Sequence, residues 1–215
     1  MEYIMTENEW IVLLKKYMYQ IRIAIDCCKV YDAVQEAKKY NFEKMKRAEY
    51  FFVTSINALA YRANMETEKL FDSRNHVCFQ KILKKFEADG KLFLHYEGRY
   101  YCVRDIINNS YICGWFNYKE YKNKINKEFL QFENEIMNLR NQRDKVLAHN
   151  DKKYYPYQAS LNEDFPFNGE CLEILLDMFQ QFCNVLLYVL TGQGVVPYDS
   201  YRYNDVDNLF FDCVV

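Results

Sequence analysis

The first 89 residues contain neither glycine nor proline. A β-sandwich or a doubly wound sheet needs such residues at its turns, so this stretch must fold into long helices. The chain has 215 residues, half of them apolar, which is ample for one domain with a real core. With 28 basic and 30 acidic side chains the net charge is −2. That balance argues against a protein that coats nucleic acid or binds a membrane through a polybasic surface. It leaves room for a local basic patch.

Periodicity divides the chain into elements. Thr6 followed by Glu9 predicts a capping box ahead of Trp10. Leu14, Met18, Ile21, Ile25, Cys28 and Tyr31 then recur in steps of three and four, predicting a helix to about Lys39. Asn41 opens a second helix, from Phe42 to about Asn64. Its middle, Tyr50 to Val53 with Ile56, Leu59 and Ala60, is apolar nearly all round and is expected at the centre of the bundle. A third helix is expected over His76–Asp89. After Asp89-Gly90 the texture changes. Leu92–Tyr96, the Glu97-Gly98 pair and Arg99–Val103 read as a short hairpin; the competing reading is more helix, interrupted by Gly98 and Gly114. A long helix from Tyr118 to about His149 follows, then a loop over 151–168 and a strong helix over Gly169–Leu190. The expected fold is all-α: an antiparallel helical bundle over 1–190, with a small β-hairpin insertion at 91–104. Residues 191–215 form a Tyr- and Asp-rich tail.

The N-terminal stretch Met1–Trp10 carries three Glu residues and does not read as a signal peptide. Cys171–Leu190 contains Glu173, Asp177, two Gln and an Asn, and reads as a core helix rather than a membrane span. Eight cysteines occur without any C-x-x-C, two of them adjacent at Cys27-Cys28 and the rest scattered among apolar neighbours. Reduced, buried thiols in a cytoplasmic protein with no membrane partner are the expectation.

The helix at 118–149 carries the functional signal. Tyr118, Tyr121, Ile125, Phe129, Phe132, Ile136, Leu139 and Val146 form an apolar seam, and Arg143 interrupts it where another large apolar residue is due. A buried guanidinium costs several kcal/mol unless an anion meets it, either a substrate or a carboxylate from another helix. His149 lies six residues on, about 120° round a regular helix and about 9 Å along it. Two copies of this helix crossing near Val146 would bring Arg143 of one chain near His149 of the other. From Arg140 to Lys153 there are five basic residues, Arg140, Arg143, Lys145, Lys152 and Lys153, against two acidic ones. Tyr154, Tyr155 and Tyr157 follow and could offer stacking surfaces, although packing within the loop would use them equally well. No GxGxxG, P-loop, HExxH, GxSxG or metal-spaced cluster occurs, so chemistry here must run on Arg, His and hydroxyls. No metal and no cofactor are expected.

The string LRNQRDKVLAHNDKK at 139–153 resembles the signature of the HEPN superfamily, an Arg with a polar follower and a His four to six residues after the Arg. Its form on Arg143, Asp144, Lys145, Ala148, His149 and Asp151 is similar to the abortive-infection AbiU-like branch, and residues 55–75 resemble that branch more loosely. The resemblance spans about residues 42–190. It implies a HEPN-like helical bundle that dimerises through the helix at 118–149. It also implies metal-independent endoribonuclease activity in phage defence or a toxin–antitoxin pair, with RNA as substrate and an antitoxin or defence-system protein as partner. Arg143 and His149 would be catalytic and Asp144 would orient one of them. Arg140, Lys145, Lys152, Lys153, Tyr154 and Tyr155 would bind RNA. A non-catalytic HEPN module that binds RNA or a nucleotide, and a structural dimerisation adaptor, are the alternatives.

Overall fold

A computed structural model describes residues 3–47, 49–72, 74–75, 77–105, 110–147, 164 and 169–193. Helix α1 spans Glu7–Lys46 and opens on the expected box: the Thr6 N–H donates to Glu9 Oε2 at 2.8 Å, and the Glu9 N–H donates to Thr6 Oγ1 at 3.4 Å. From Trp10 to Cys28 its buried positions are Trp10, Leu14, Tyr17, Ile21, Ala24 and Cys28, alternating steps of four and three. That strict spacing lays one continuous seam against the core. The helix runs unbroken through Lys39–Asn41, where two helices were expected. An interior Asn disfavours helix by only about 0.7 kcal/mol relative to Ala, too little to end one without Gly or Pro.

Helix α2 spans Glu49–Lys69 and packs back along α1. It is not the central helix. Tyr50 is 88% exposed and Phe51 66% exposed, and the buried side chains are Ile56, Ala63, Thr67 and Glu68. The apolar run marks the far end of a helical hairpin instead. A tight turn follows, in which the Phe71 and Asp72 N–H groups both donate to Glu68 O at 2.9 Å. Helix α3, Phe79–Ala88, begins three residues later than expected and buries Phe79, Ile82, Leu83 and Phe86. The short helix α4 is Gly90–Leu94. The first strand expected there is therefore absent.

The hairpin lies further along the chain. Strand β1, Tyr100–Asp105, pairs antiparallel with β2, Ser110–Trp115, and Cys102 stands opposite Cys113. Gly98, with φ of 75°, turns the chain into β1, and its N–H donates to Phe116 O at 2.8 Å. Positive φ is the conformation glycine supplies without a Cβ clash. Cys102 and Cys113 are joined as a disulfide, which corrects the expectation of eight reduced thiols. Tyr100, Cys102 and Arg104 share one face of the ribbon with Tyr111, Cys113 and Trp115. Val103 and Asp105 are buried on the other.

The long helix expected over 118–149 divides. Helix α5 spans Tyr118–Leu130, capped by Asn117, whose side chain accepts from the Glu120 N–H at 3.0 Å. At Gln131 and Phe132 the N–H groups bond three residues back, at 3.2 and 3.0 Å, and the helix tightens and restarts as α6, Glu133–Gln142. Arg143–Leu147 then form a π-helical turn. Helix α7, Gly169–Thr191, is the hub: Leu175, Leu176, Phe179, Phe182, Cys183, Leu186 and Leu187 are almost wholly buried. Phe179 lies 3.8 Å from Phe79 and 4.9 Å from Phe71 between ring centroids, so α7 ties α3 to the turn after α2. By length and composition 170–191 could cross a membrane, but 78% of its apolar window is buried inside the fold. Among the described residues the molecule is a helical bundle carrying one small hairpin.

Candidate functional site

Arg143 opens the π-helical turn at the end of α6 and is 6% exposed. The seam it interrupts runs up to it through Ile136 and Leu139, both buried. Its guanidinium meets three carboxylates. Nη1 donates to Asp72 Oδ2 at 2.9 Å and pairs with Glu68 Oε2. Nε and Nη2 both donate to Asp144 Oδ1, at 2.8 and 2.5 Å. Glu68 sits in the last turn of α2 and is 2% exposed, and Asp72 lies in the turn that follows. Glu68 and Asp72 thus hold the guanidinium from the buried side, and the half-exposed Asp144 holds it from the solvent side.

Two further arginines complete the cluster. Arg74 Nε donates to Asp72 at 2.9 and 3.0 Å, and its backbone N–H adds a bond to Asp72 Oδ1 at 3.0 Å. Arg140 Nη2 donates to Phe71 O at 3.1 Å, and its Nε stands 4.0 Å from Glu68 Oε1. That last distance is not a hydrogen bond, and both atoms lack one. The basic excess read from 140–153 is therefore drawn down locally by Glu68 and Asp72, residues far away in sequence.

The electrostatics follow from these contacts. The side-chain hydrogen bond from Arg74 holds the Asp72 carboxyl well below the usual range, against burial and with help from the Arg74 N–H and Arg143. Burial pushes the Glu68 carboxyl up, and the adjacent Arg143 pulls it the other way. For Arg143 burial works against the charge, but the bonds to Asp144, Asp72 and Glu68 outweigh it and the group is raised.

The structure thus brings Arg143 and Asp144 together and places Arg140 beside them through Glu68. Lys145 is exposed on the π-helical turn. His149, Lys152, Lys153, Tyr154 and Tyr155 lie outside the described residues, as do Val146's side chain and the tail beyond residue 193. The α-helical arithmetic relating Arg143 to His149 does not carry through a π-turn, whose pitch differs. Glu68, Asp72 and Arg74 were not read from the sequence. A buried Arg demands carboxylates, and Glu68 and Asp72, four residues apart at a helix end, are a pair suited to one target.

A family model for AbiU2, a HEPN family, matches residues 116–209. The match begins at the end of the hairpin and runs through α5, α6, the π-helical turn and α7 into the tail. Over that stretch, which is less than half of the chain, the protein is similar to the AbiU2 branch of HEPN proteins, an abortive-infection-associated group. The looser resemblance at 55–75 falls outside the matched stretch, and the part of the tail at 191–209 falls inside it. Comparison with curated proteins and with solved structures gives no match.

Proposed function

We propose that the protein is a metal-independent endoribonuclease of a phage-defence or toxin–antitoxin system, acting through Arg143 and His149 at a dimer interface. One observation carries the reading. Among the described residues, the Arg of the HEPN motif is buried in a carboxylate cage whose most exposed member is Asp144. A phosphate arriving from the Asp144 side can replace that carboxylate while Glu68 and Asp72 keep the planar donors in place. Asp144 in this reading is a placeholder that positions Arg143 until RNA binds.

The chemistry then needs no metal. The ribose 2′-oxygen forms a bond to the adjacent phosphorus as its proton leaves, and the P–O5′ bond breaks as that oxygen gains a proton. The products carry a 2′,3′-cyclic phosphate and a 5′-hydroxyl. His149 exchanges protons near neutral pH, for an expected contribution of about 10²–10⁴-fold. Arg143 meets the charge that develops on the phosphorane. Arg140, Lys145, Lys152 and Lys153 attract the backbone, and Tyr154 and Tyr155 stack on bases. Two copies related by a twofold axis would line one cleft.

The test is cleavage of mixed RNA by the purified protein with EDTA present. Cyclic-phosphate ends are expected, with a loss of about 10²-fold or more in His149→Ala and the dimer intact by light scattering. Unchanged cleavage in His149→Ala, or cleavage that requires a divalent ion, overturns the reading. The saturation of Arg143 by in-chain carboxylates favours a second reading, a dimerisation or RNA-binding module without chemistry. RNA retention without cleavage in the parent protein, or dissociation of His149→Ala into monomers without any RNA phenotype, would select it.

A further inference from the structure

Between α1 and α7, away from the Arg143 cluster, lies a cavity of about 250 Å³. Ile25 and Leu176 give it apolar walls, and Lys29, Glu173, Asp177 and Gln180 line the rest. That volume falls just below the range of drug-sized pockets and suits a smaller guest.

The polar lining is not an accident of a surface groove. Glu173, Asp177, Gln180 and Asn184 follow one another in steps of four, three and four, a polar stripe along an otherwise apolar helix. Gln180 is only 8% exposed, yet its Oε1 has no hydrogen-bond partner. Asn184 lies deeper on the same stripe, fully buried, with neither Oδ1 nor Nδ2 bonded. A buried amide without partners is a net cost to folding. A helix buried this thoroughly would be more stable with apolar residues there, so the stripe serves something other than packing.

The charge around the cavity specifies the guest. Glu173 and Asp177 on α7 set two carboxylates against the one ammonium of Lys29 on α1, and Asp32 stands within electrostatic reach of Glu173. Burial pushes the Glu173 and Asp32 carboxyls up, and Asp32 adds repulsion at Glu173. The Gln180 oxygen is an acceptor in need of a donor. Among the described residues no group of three or more His, Cys, Asp or Glu is placed to hold a metal ion.

We propose that this cavity binds a small organic cation, an alkylammonium or alkylguanidinium, with its N–H donors on Gln180 Oε1 and the carboxylates of Glu173 and Asp177. Its carbon chain lies against Ile25 and Leu176. The cation comes either free or as a lysine or arginine side chain of another protein, since the recognising chemistry is the same.

The experiment titrates the full-length protein with agmatine, followed by calorimetry and by backbone amide shifts of α1 and α7. Saturable binding is expected, weakened by about tenfold or more in both Gln180→Leu and Glu173→Gln. Glu173 is exposed at the mouth, so Glu173→Gln keeps the fold and the test stands even where Gln180→Leu does not. No saturable binding up to about 10 mM overturns the proposal, as does equal binding of 1,4-butanediol or magnesium chloride, or unchanged affinity in both variants. Blocked arginine (N-acetyl-arginine amide) distinguishes the sources. Affinity matching agmatine assigns the guest to a protein side chain, and clearly weaker affinity assigns it to a free diamine-like cation. Either result upholds the site.

Discussion

Arg143 is the residue on which the fold and the proposed chemistry meet. Each of its bonds to a carboxylate is charge-assisted, and two of its three partners are nearly dry. Arg143→Ala would leave Glu68 buried without its cation, for an expected destabilisation of about 3–5 kcal/mol read from the denaturant midpoint. Adding Glu68→Gln should recover part of that loss, because the two residues share one interaction. A cleavage assay on Arg143→Ala therefore confounds folding with chemistry, and His149→Ala is the cleaner probe. Asp72 makes a second prediction at this scale. Its carboxyl is depressed in the folded protein, so its contribution to stability is complete above its unfolded pKa of about 3.9 and is lost as pH falls below that. Glu68 is raised and has the opposite sign, with stability favoured at low pH and lost as pH rises through its folded value. Asp72→Asn should be less stable than the parent at pH 7, by about 1–3 kcal/mol, with a flatter loss on acidification below about pH 4.

At the scale of elements, the join between α3 and α4 leaves no room for a side chain at Gly90. A Cβ at Gly90 would stand 2.5 Å from Tyr118 Oη and 2.7 Å from Cζ. That ring cannot swing away: it stacks on Phe93, meets Phe86 edge-on, and its hydroxyl donates to Phe86 O at 3.2 Å. Gly90→Ala is expected to lower stability by about 1–3 kcal/mol in a thermal melt. The same join explains what the sequence hid. The run Leu92–Tyr96 alternates well enough for a strand, but Phe93 must reach Trp10 and Phe86, at 5.1 and 4.6 Å, and a helical turn brings it there. Helix α1 as far as Lys39 and helix α7 were legible because a seam or a nearly all-apolar run repeats within each. The break at Gln131-Phe132 was not, since it has no Gly or Pro; it falls just after Phe129, whose ring docks against Phe79 at 5.1 Å between centroids. Arg143 was legible as an anomaly in a seam. Its partners Glu68 and Asp72 were not, because only tertiary packing brings residues seventy positions apart together.

Across the whole molecule, apolar character and centrality part company. The stretch Tyr50–Val53 is as apolar as α7, yet it stands at the far end of the α1–α2 hairpin, while α7 holds the core. Phe51→Ser should therefore change stability by no more than about 0.5 kcal/mol. Phe179→Ala in the same melt should cost about 3–5 kcal/mol. A large loss in Phe51→Ser would mean that another surface covers the hairpin end. The position of α7 in the chain also sets the order in which the protein can be made. The α3 rings Phe79 and Phe86, which meet Tyr17 and Trp10 of α1, find their partners Phe179 and Phe182 in α7, a helix that begins at Gly169. At about 5–20 residues per second, on the order of ten seconds separate the emergence of the two helices from a ribosome. During that interval a nascent chain presents aromatic rings without their α7 partners, and a fragment truncated before Gly169 is expected to aggregate rather than to fold as a weaker version of the whole, which a sedimentation assay of the fragment checks.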